Sequence, residues 1–335
     1  MNRLKYIDWI KGFAMILVVF GHVYTVYDSR FRQWIYSFHV PIFFFISGYL
    51  LYNSYIKKNE MNYDVIKSIK TIFIPYITFS IFNIIAQALY SHIRNKDVLD
   101  SIKYQAERLI NLRGVTATWF LITLFIVVVL FKFLYKTFKN KKLFIISIII
   151  LLLIPFIYQN VNSEYIKALY KSFIALFFFT VGFFSYKYTS EKDIPWLATI
   201  LMFVGSIICS YYLGYSNLAS LNIAKPILFL TSGVVGSVSF LFLFKKIASY
   251  NIELKSLTYI GTNSLIYLGT HMNLSFFLTY AYTNVFDSPL MLDWKIRAPL
   301  LTILTIIVDI IFVYIFNNYL YMLIGKNRPQ RHNFK

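Results

Sequence analysis

Ten long apolar runs, near residues 7–27, 34–55, 71–90, 118–135, 143–158, 166–186, 195–214, 223–244, 257–280 and 299–322, constrain this chain more than any other feature. The hydrocarbon core of a bilayer is about 30 Å thick and takes roughly 20 apolar residues as a helix. Inside it every backbone polar group must be satisfied within its own segment, which selects helices. The sequence therefore predicts an all-α, polytopic transmembrane helix bundle of about ten spans. Composition agrees, because only 14 % of the 335 residues are charged while 58 % are hydrophobic, too little charge to cover a soluble domain. The run LFIISIIILLLIPFIY is the shortest and carries Pro155 near its end. Residues 1–335 read as one integral membrane domain, with no cleavage site after the first run and no soluble C-terminal extension.

A net charge of +19 raises the question of nucleic acid, but the basic residues lie in short loops between apolar runs, which is the signature of membrane orientation. With the N-terminus cytoplasmic, 20 of the 33 basic residues fall on the inner side, including Lys57, Lys58, Lys67, Lys70 and the cluster from Lys132 to Lys142. Both termini are then cytoplasmic, and no nucleic-acid partner is expected. The 91–117 loop falls outside, and its apolar spacing at Ile102, Ala106, Leu109 and Ile110 predicts a short amphipathic helix lying on the outer surface or over a cavity. The single cysteine, Cys209, lies in an apolar run and reads as a buried thiol.

The first run, YIDWIKGFAMILVVFGH, carries three ionisable residues. Residues 11 apart on an α-helix differ by about 20° of rotation and about 16 Å of height, so Asp8, Lys11, Met15, Val18 and His22 form one stripe. Charges at membrane depth are costly unless they pair or face a polar cavity, so the stripe should face the bundle interior. Asp8 and Lys11 also suit a plain i,i+3 pair at the interface. His22 does not suit an anchor, and two further histidines lie in spans: His39 in SFHVPIFFFISGYL, next to Pro41, and His271 in IGTNSLIYLGTH, on a face with Ser264 and Tyr267. His92 and His332 are in loops. A histidine can take a proton from a sugar hydroxyl and so make it a nucleophile toward a thioester. No His/Cys/carboxylate spacing suits a metal, and there is no phosphate-cradling glycine loop or GxSxG elbow.

YIDWIKGFAMILVVFGH, SFHVPIFFFISGYLL, IKTIFIPY, TWFLITL and IGTNSLIYLGTH, in this order and spacing, closely resemble the acyltransferase-3 family of integral membrane acyltransferases, in particular its fucose 4-O-acetylase-like, polysaccharide-modifying members. The resemblance implies an O-acetyltransferase that moves an acyl group, usually acetyl, from cytoplasmic acetyl-CoA to a hydroxyl of a cell-surface polysaccharide or its lipid-linked precursor. It also implies a bacterial-type plasma membrane location and no bound cofactor beyond the acyl-CoA donor. The family's basic-residue-x10-His motif falls on Lys11 and His22, with Asp8 three before the lysine; lysine keeps the charge there but not arginine's planar fork. Lys67 and Lys70 correspond to the family's basic residues ahead of Pro75 and Tyr76.

In this frame His22 is the expected base. Lys11, Lys67 and Lys70 would attract the donor's diphosphate or orient its pantetheine arm, whose length is comparable with the rise from Lys11 to His22. His39 would hydrogen-bond the acceptor, orient His22, or cap the helix at Pro41. Trp119 would stack on a sugar ring or belong to an interfacial aromatic belt. Asn263, Ser264, Tyr267 and His271 would bind substrate or hold the ninth span to its neighbours. Asp309, in mid-span, requires a partner, and Gly48 suits a close helix approach. The rival from another class is a carrier or flippase for a glycan intermediate, which needs a polar cavity but no basic entrance leading to a histidine.

Overall fold

The computed structural model describes residues 4–23, 30–58, 61, 63–192, 194–285 and 293–327. The elements are α1 (Lys5–Val23), α2 (Arg30–Phe38), α3 (Pro41–Lys58), α4 (Ile66–Ser68), α5 (Ile74–Ile93), α6 (Val98–Ile110), α7 (Trp119–Thr137), α8 (Lys141–Ile157), α9 (Glu164–Thr189), α10 (Trp196–Leu213), α11 (Pro226–Ser249), α12 (Lys255–Thr262), α13 (Ser264–Val285) and α14 (Trp294–Asn318). No β-strand occurs among the described residues.

Eight helical stretches among the described residues are long and apolar enough to cross a membrane: Lys5–Val23, Arg30–Lys58, Ile66–Ile93, Thr116–Thr137, Glu164–Thr189, Trp196–Leu213, Pro226–Ser249 and Lys295–Asn318. The other two expected runs are helical as well. α8 has 17 residues, short of the roughly 20 of a full crossing. The 257–280 run is divided at Asn263, and Thr270, His271, Asn273 and Ser275 dilute the apolar character of its longer part. Ile145, Ile146, Ile149 and Ile150 on α8, and Leu197, Ile200, Leu201 and Val204 on α10, are exposed. Such faces are unfavourable in water and suited to lipid.

The chain forms two compact units, one of Met1–Tyr63 with Ile126–Ser264 and one of Asp64–Phe125 with Leu265–Lys335. In the first, small residues set the closest helix contacts. A Cβ on Gly48 of α3 would fall on the carbonyl oxygen of Phe179, and one on Gly182 of α9 would fall on that of Phe45. This is the close approach expected at Gly48. Gly12 of α1 meets the Leu257 carbonyl, and Gly261 of α12 meets the Asp8 carbonyl, in the same way. Such contacts gain van der Waals energy where lipid supplies no hydrophobic drive. Aromatic rings fill the remaining space: Phe38 stacks on Phe240 at 5.0 Å, and Phe131 lies 5.0 Å from Phe179 and 4.8 Å from Phe183.

Prolines mark two of the breaks. Pro41 lacks an N–H and disfavours the helical conformation of Val40 before it, so α2 ends at Phe38 and α3 begins at Pro41. His39 stands at the break, its backbone N–H still bonded to Ile35 O at 2.9 Å. Ahead of Pro75, Ile69–Phe73 form a π-helical turn in which Ile74 N–H reaches Ile69 O, a common response to an interrupted ladder.

In the second unit, Phe79 packs on Phe316 at 5.0 Å and Phe82 on Phe312 at 5.4 Å. The amphipathic helix expected in the 91–117 loop is present as α6, capped by Asp97, whose side chain accepts from Asp100 N–H at 2.8 Å. The side chain it buries is Gln105, however, while Ile102 and Ile110 are exposed and Ala106 and Leu109 half-buried. The apolar stripe therefore faces mostly outward, as a helix at a membrane interface would present it.

Candidate functional site

In the first unit the stripe of α1 begins at Asp8, 3 % exposed, whose Oδ1 lies 3.5 Å from Lys11 Nζ. Both the i,i+3 spacing and the α12 backbone packed at Gly12 and Gly261 hold the pair in place. A cavity of about 770 Å³ opens at this end of α1, lined by Lys5, Asp8, Trp9, Lys255, Thr258 and Tyr259 among others. Lys5 is bonded to Glu253 at 2.5 Å at its rim. That hydrogen bond, and then the lysine's charge, hold the Glu253 carboxyl below the usual glutamate range.

His22 occupies the last turn of α1 and is half-buried. It meets α2, where Tyr36 OH donates to Gly21 O at 3.3 Å and its ring would touch any Cβ at Gly21. Glycine beside the histidine lets that ring approach. His39 is buried, its ring 4.6 Å from that of Tyr36. Its Nδ1 lies 2.8 Å from Ile35 O; a carbonyl only accepts, so Nδ1 carries the proton and the lone pair of the neutral ring is on Nε2. His22, His39 and Arg32 are within electrostatic reach of one another.

Arg32 and Tyr215 complete the group, and neither was anticipated from the sequence. The guanidinium carbon lies 5.0 Å from the Tyr36 ring centre and 4.8 Å from that of Tyr215, and Nη2 donates to Tyr215 OH at 3.3 Å. Tyr215 comes from a loop shaped by Gly214 at φ +77° and by Asn217, whose backbone pairs with Asn222. A signal for Arg32 was present: it stands seven residues before His39, two helical turns along the same face. Nothing in the sequence ties Tyr215 to the histidines.

The other expected site residues belong to other elements. Lys67 and Lys70 are exposed in the second unit, flanking the start of the π-helical turn. Trp119 is half-buried at the start of α7, edge-on to Phe120. Asn263, at the end of the first unit, donates to Tyr259 O at 2.9 Å across the α12–α13 break, and Ser264 beside it is half-buried. In the second unit Tyr267 is buried and donates to Ile306 O at 3.4 Å, while His271, fully buried, bonds through Nδ1 to Tyr267 O at 2.7 Å. The partner of Asp309 is Thr270, whose hydroxyl lies 2.6 Å from Oδ1.

A second polar group was also missed. Asn83 donates to Thr116 at 2.8 Å and accepts from Asn273 at 2.6 Å, and Gln87 donates to Asn273 at 2.6 Å. Asn83 and Gln87, at i and i+4 within an apolar run, were the readable signal. Among the described residues no group of three His, Cys, Asp or Glu side chains could hold a metal ion.

Apolar helices with outward apolar faces, and polar groups held between them, define a multi-pass membrane protein with histidine-bearing polar sites. The sequence model of the family described as "Acyltransferase domain" matches residues 4–317, and the chain belongs to that acyltransferase-3 family: it is a membrane acyltransferase. No curated protein and no solved structure matches it.

Proposed function

We propose that the protein is an O-acetyltransferase of the cell membrane, moving acetyl from cytoplasmic acetyl-CoA to a hydroxyl of a surface polysaccharide or its lipid-linked precursor. The observation that carries the proposal is the place of His39 at the α2–α3 break, its ring against Tyr36, whose hydroxyl bonds to the backbone of Gly21 next to His22, with Lys11 about 16 Å down the same helix. A carrier has no need of a histidine at the end of such a face.

His22 takes the proton of the acceptor hydroxyl as its oxygen attacks the thioester carbonyl. The tetrahedral species collapses with loss of the CoA thiolate, and the proton on His22 passes to that thiolate or to water. His39, its tautomer set by Ile35, presents Nε2 to the acceptor hydroxyl or to His22. The cavity beside Asp8 receives the donor, with Lys5 and Lys255 of its lining drawing the phosphates and Lys11 orienting the arm. Trp119, Asn263, Ser264, Tyr267 and His271 remain candidates for acceptor binding. The test is mass spectrometry of surface polysaccharide from a deletion strain: acetyl esters should disappear, return with the wild-type gene, and not return with His22→Ala. Unchanged esters in the deletion strain refute the proposal.

A further inference from the structure

Also in the first unit, α7, α8 and α9 frame two cavities that share no lining residue with the cavity beside Asp8. One, of about 410 Å³, is lined by Tyr63, Tyr135, Lys136, Lys139, Lys141 and Phe144. Lys136 Nζ lies 5.7 Å from the centre of the Tyr63 ring. The other, also about 410 Å³, is an apolar groove between α8 and α9, lined by Ile145, Ile149, Phe177 and Val181 among others. Phe184 lines both, so a pocket with three cations adjoins an apolar groove.

The dimensions follow the membrane. The charged pocket lies in the Lys132 to Lys142 cluster, on the inner side by the distribution of basic residues. From there the groove reaches about 12 Å along α8 to Ile149 and about 18 Å back along α9 to Phe177, close to the roughly 15 Å of one leaflet's hydrocarbon. Tyr188, exposed, stands at the rim where an interfacial aromatic is expected. We propose that this is a binding site for an anionic glycerophospholipid of the inner leaflet, its phosphate among Lys136, Lys139 and Lys141 and one acyl chain in the groove. Basic pockets between membrane helices on the cytoplasmic side take such headgroups. The long arm of acyl-CoA fits the groove poorly, because its amide carbonyls need donors that the groove's interior does not offer. Inside the groove the hydroxyl protons of Thr180 and Ser185 go to Leu176 O and Val181 O, both at 2.7 Å, and the Tyr188 hydroxyl stands at the rim, which leaves no inner donor for the arm's carbonyls.

Native mass spectrometry of the full-length protein in a neutral detergent tests the proposal, with phosphatidylglycerol and phosphatidylcholine of identical chains as probes. Wild type should retain phosphatidylglycerol preferentially. Changing Lys136, Lys139 and Lys141 to Gln should weaken that retention by about fivefold per lysine, and Ile149→Trp should reduce it with the lysines intact. Equal retention of the two lipids, or an unchanged preference in the triple variant, overturns the proposal. Displacement of phosphatidylglycerol by CoA overturns it too, and gives the cavity to a nucleotide.

Discussion

Asp8 and Lys11 show how much a single pair in the membrane carries. The carboxylate is nearly inaccessible and its lysine stands 3.5 Å away, so Lys11→Met should lower stability by about 1–3 kcal/mol, Lys11→Arg should be close to neutral, and Asp8→Asn should rescue Lys11→Met. Thermal unfolding in detergent measures all three; an undisturbed Lys11→Met protein would show that the pair is ornamental to the fold. These residues were legible because an ionisable group in an apolar run must have a reason. Arg32 was harder to find, since it lies at a helix start where a basic residue looks like an ordinary interfacial charge. Tyr215 was out of reach, because its place depends on a loop turned by Gly214 and Asn217.

Helices were legible from their apolar runs, whereas their interruptions were only half legible. Pro41 announced a break, and the break puts His39 between two helices instead of inside one. Pro41→Ala should favour a continuous α2–α3 helix and turn His39 away, so acetyl transfer should fall more than tenfold with little loss of thermal stability. Full activity in that variant would show that the break does not position the histidine. The division at Asn263 had no proline to announce it, and α6 buries Gln105 instead of its apolar stripe because the membrane interface accepts apolar side chains that water would not. At the α3–α9 contact, Gly48→Leu or Gly182→Leu should each cost about 1–3 kcal/mol by overpacking, and the double variant less than their sum because they disturb one contact. Unfolding midpoints of the three variants report this directly.

For the molecule as a membrane-spanning bundle, the positive loops predict which side each end of α8 faces. In a Cys209→Ser background, Asn160→Cys should react with an impermeant maleimide on intact cells and Lys142→Cys only after permeabilisation; labelling of both from one side would mean that α8 does not cross. That the chain is a helical membrane acyltransferase was legible from five motifs in order and is carried by the family match over residues 4–317. That Tyr36 links the ends of α1 and α2 beside the two histidines was not legible, because it depends on how these helices pack at Gly21. The central claim is that His22 is the base of acyl transfer. Acetyl transfer from labelled acetyl-CoA by purified, reconstituted wild type and His22→Ala tests it most directly. A loss of about a hundredfold or more, with an unchanged unfolding midpoint, is predicted; His22→Ala turning over at the wild-type rate would contradict it.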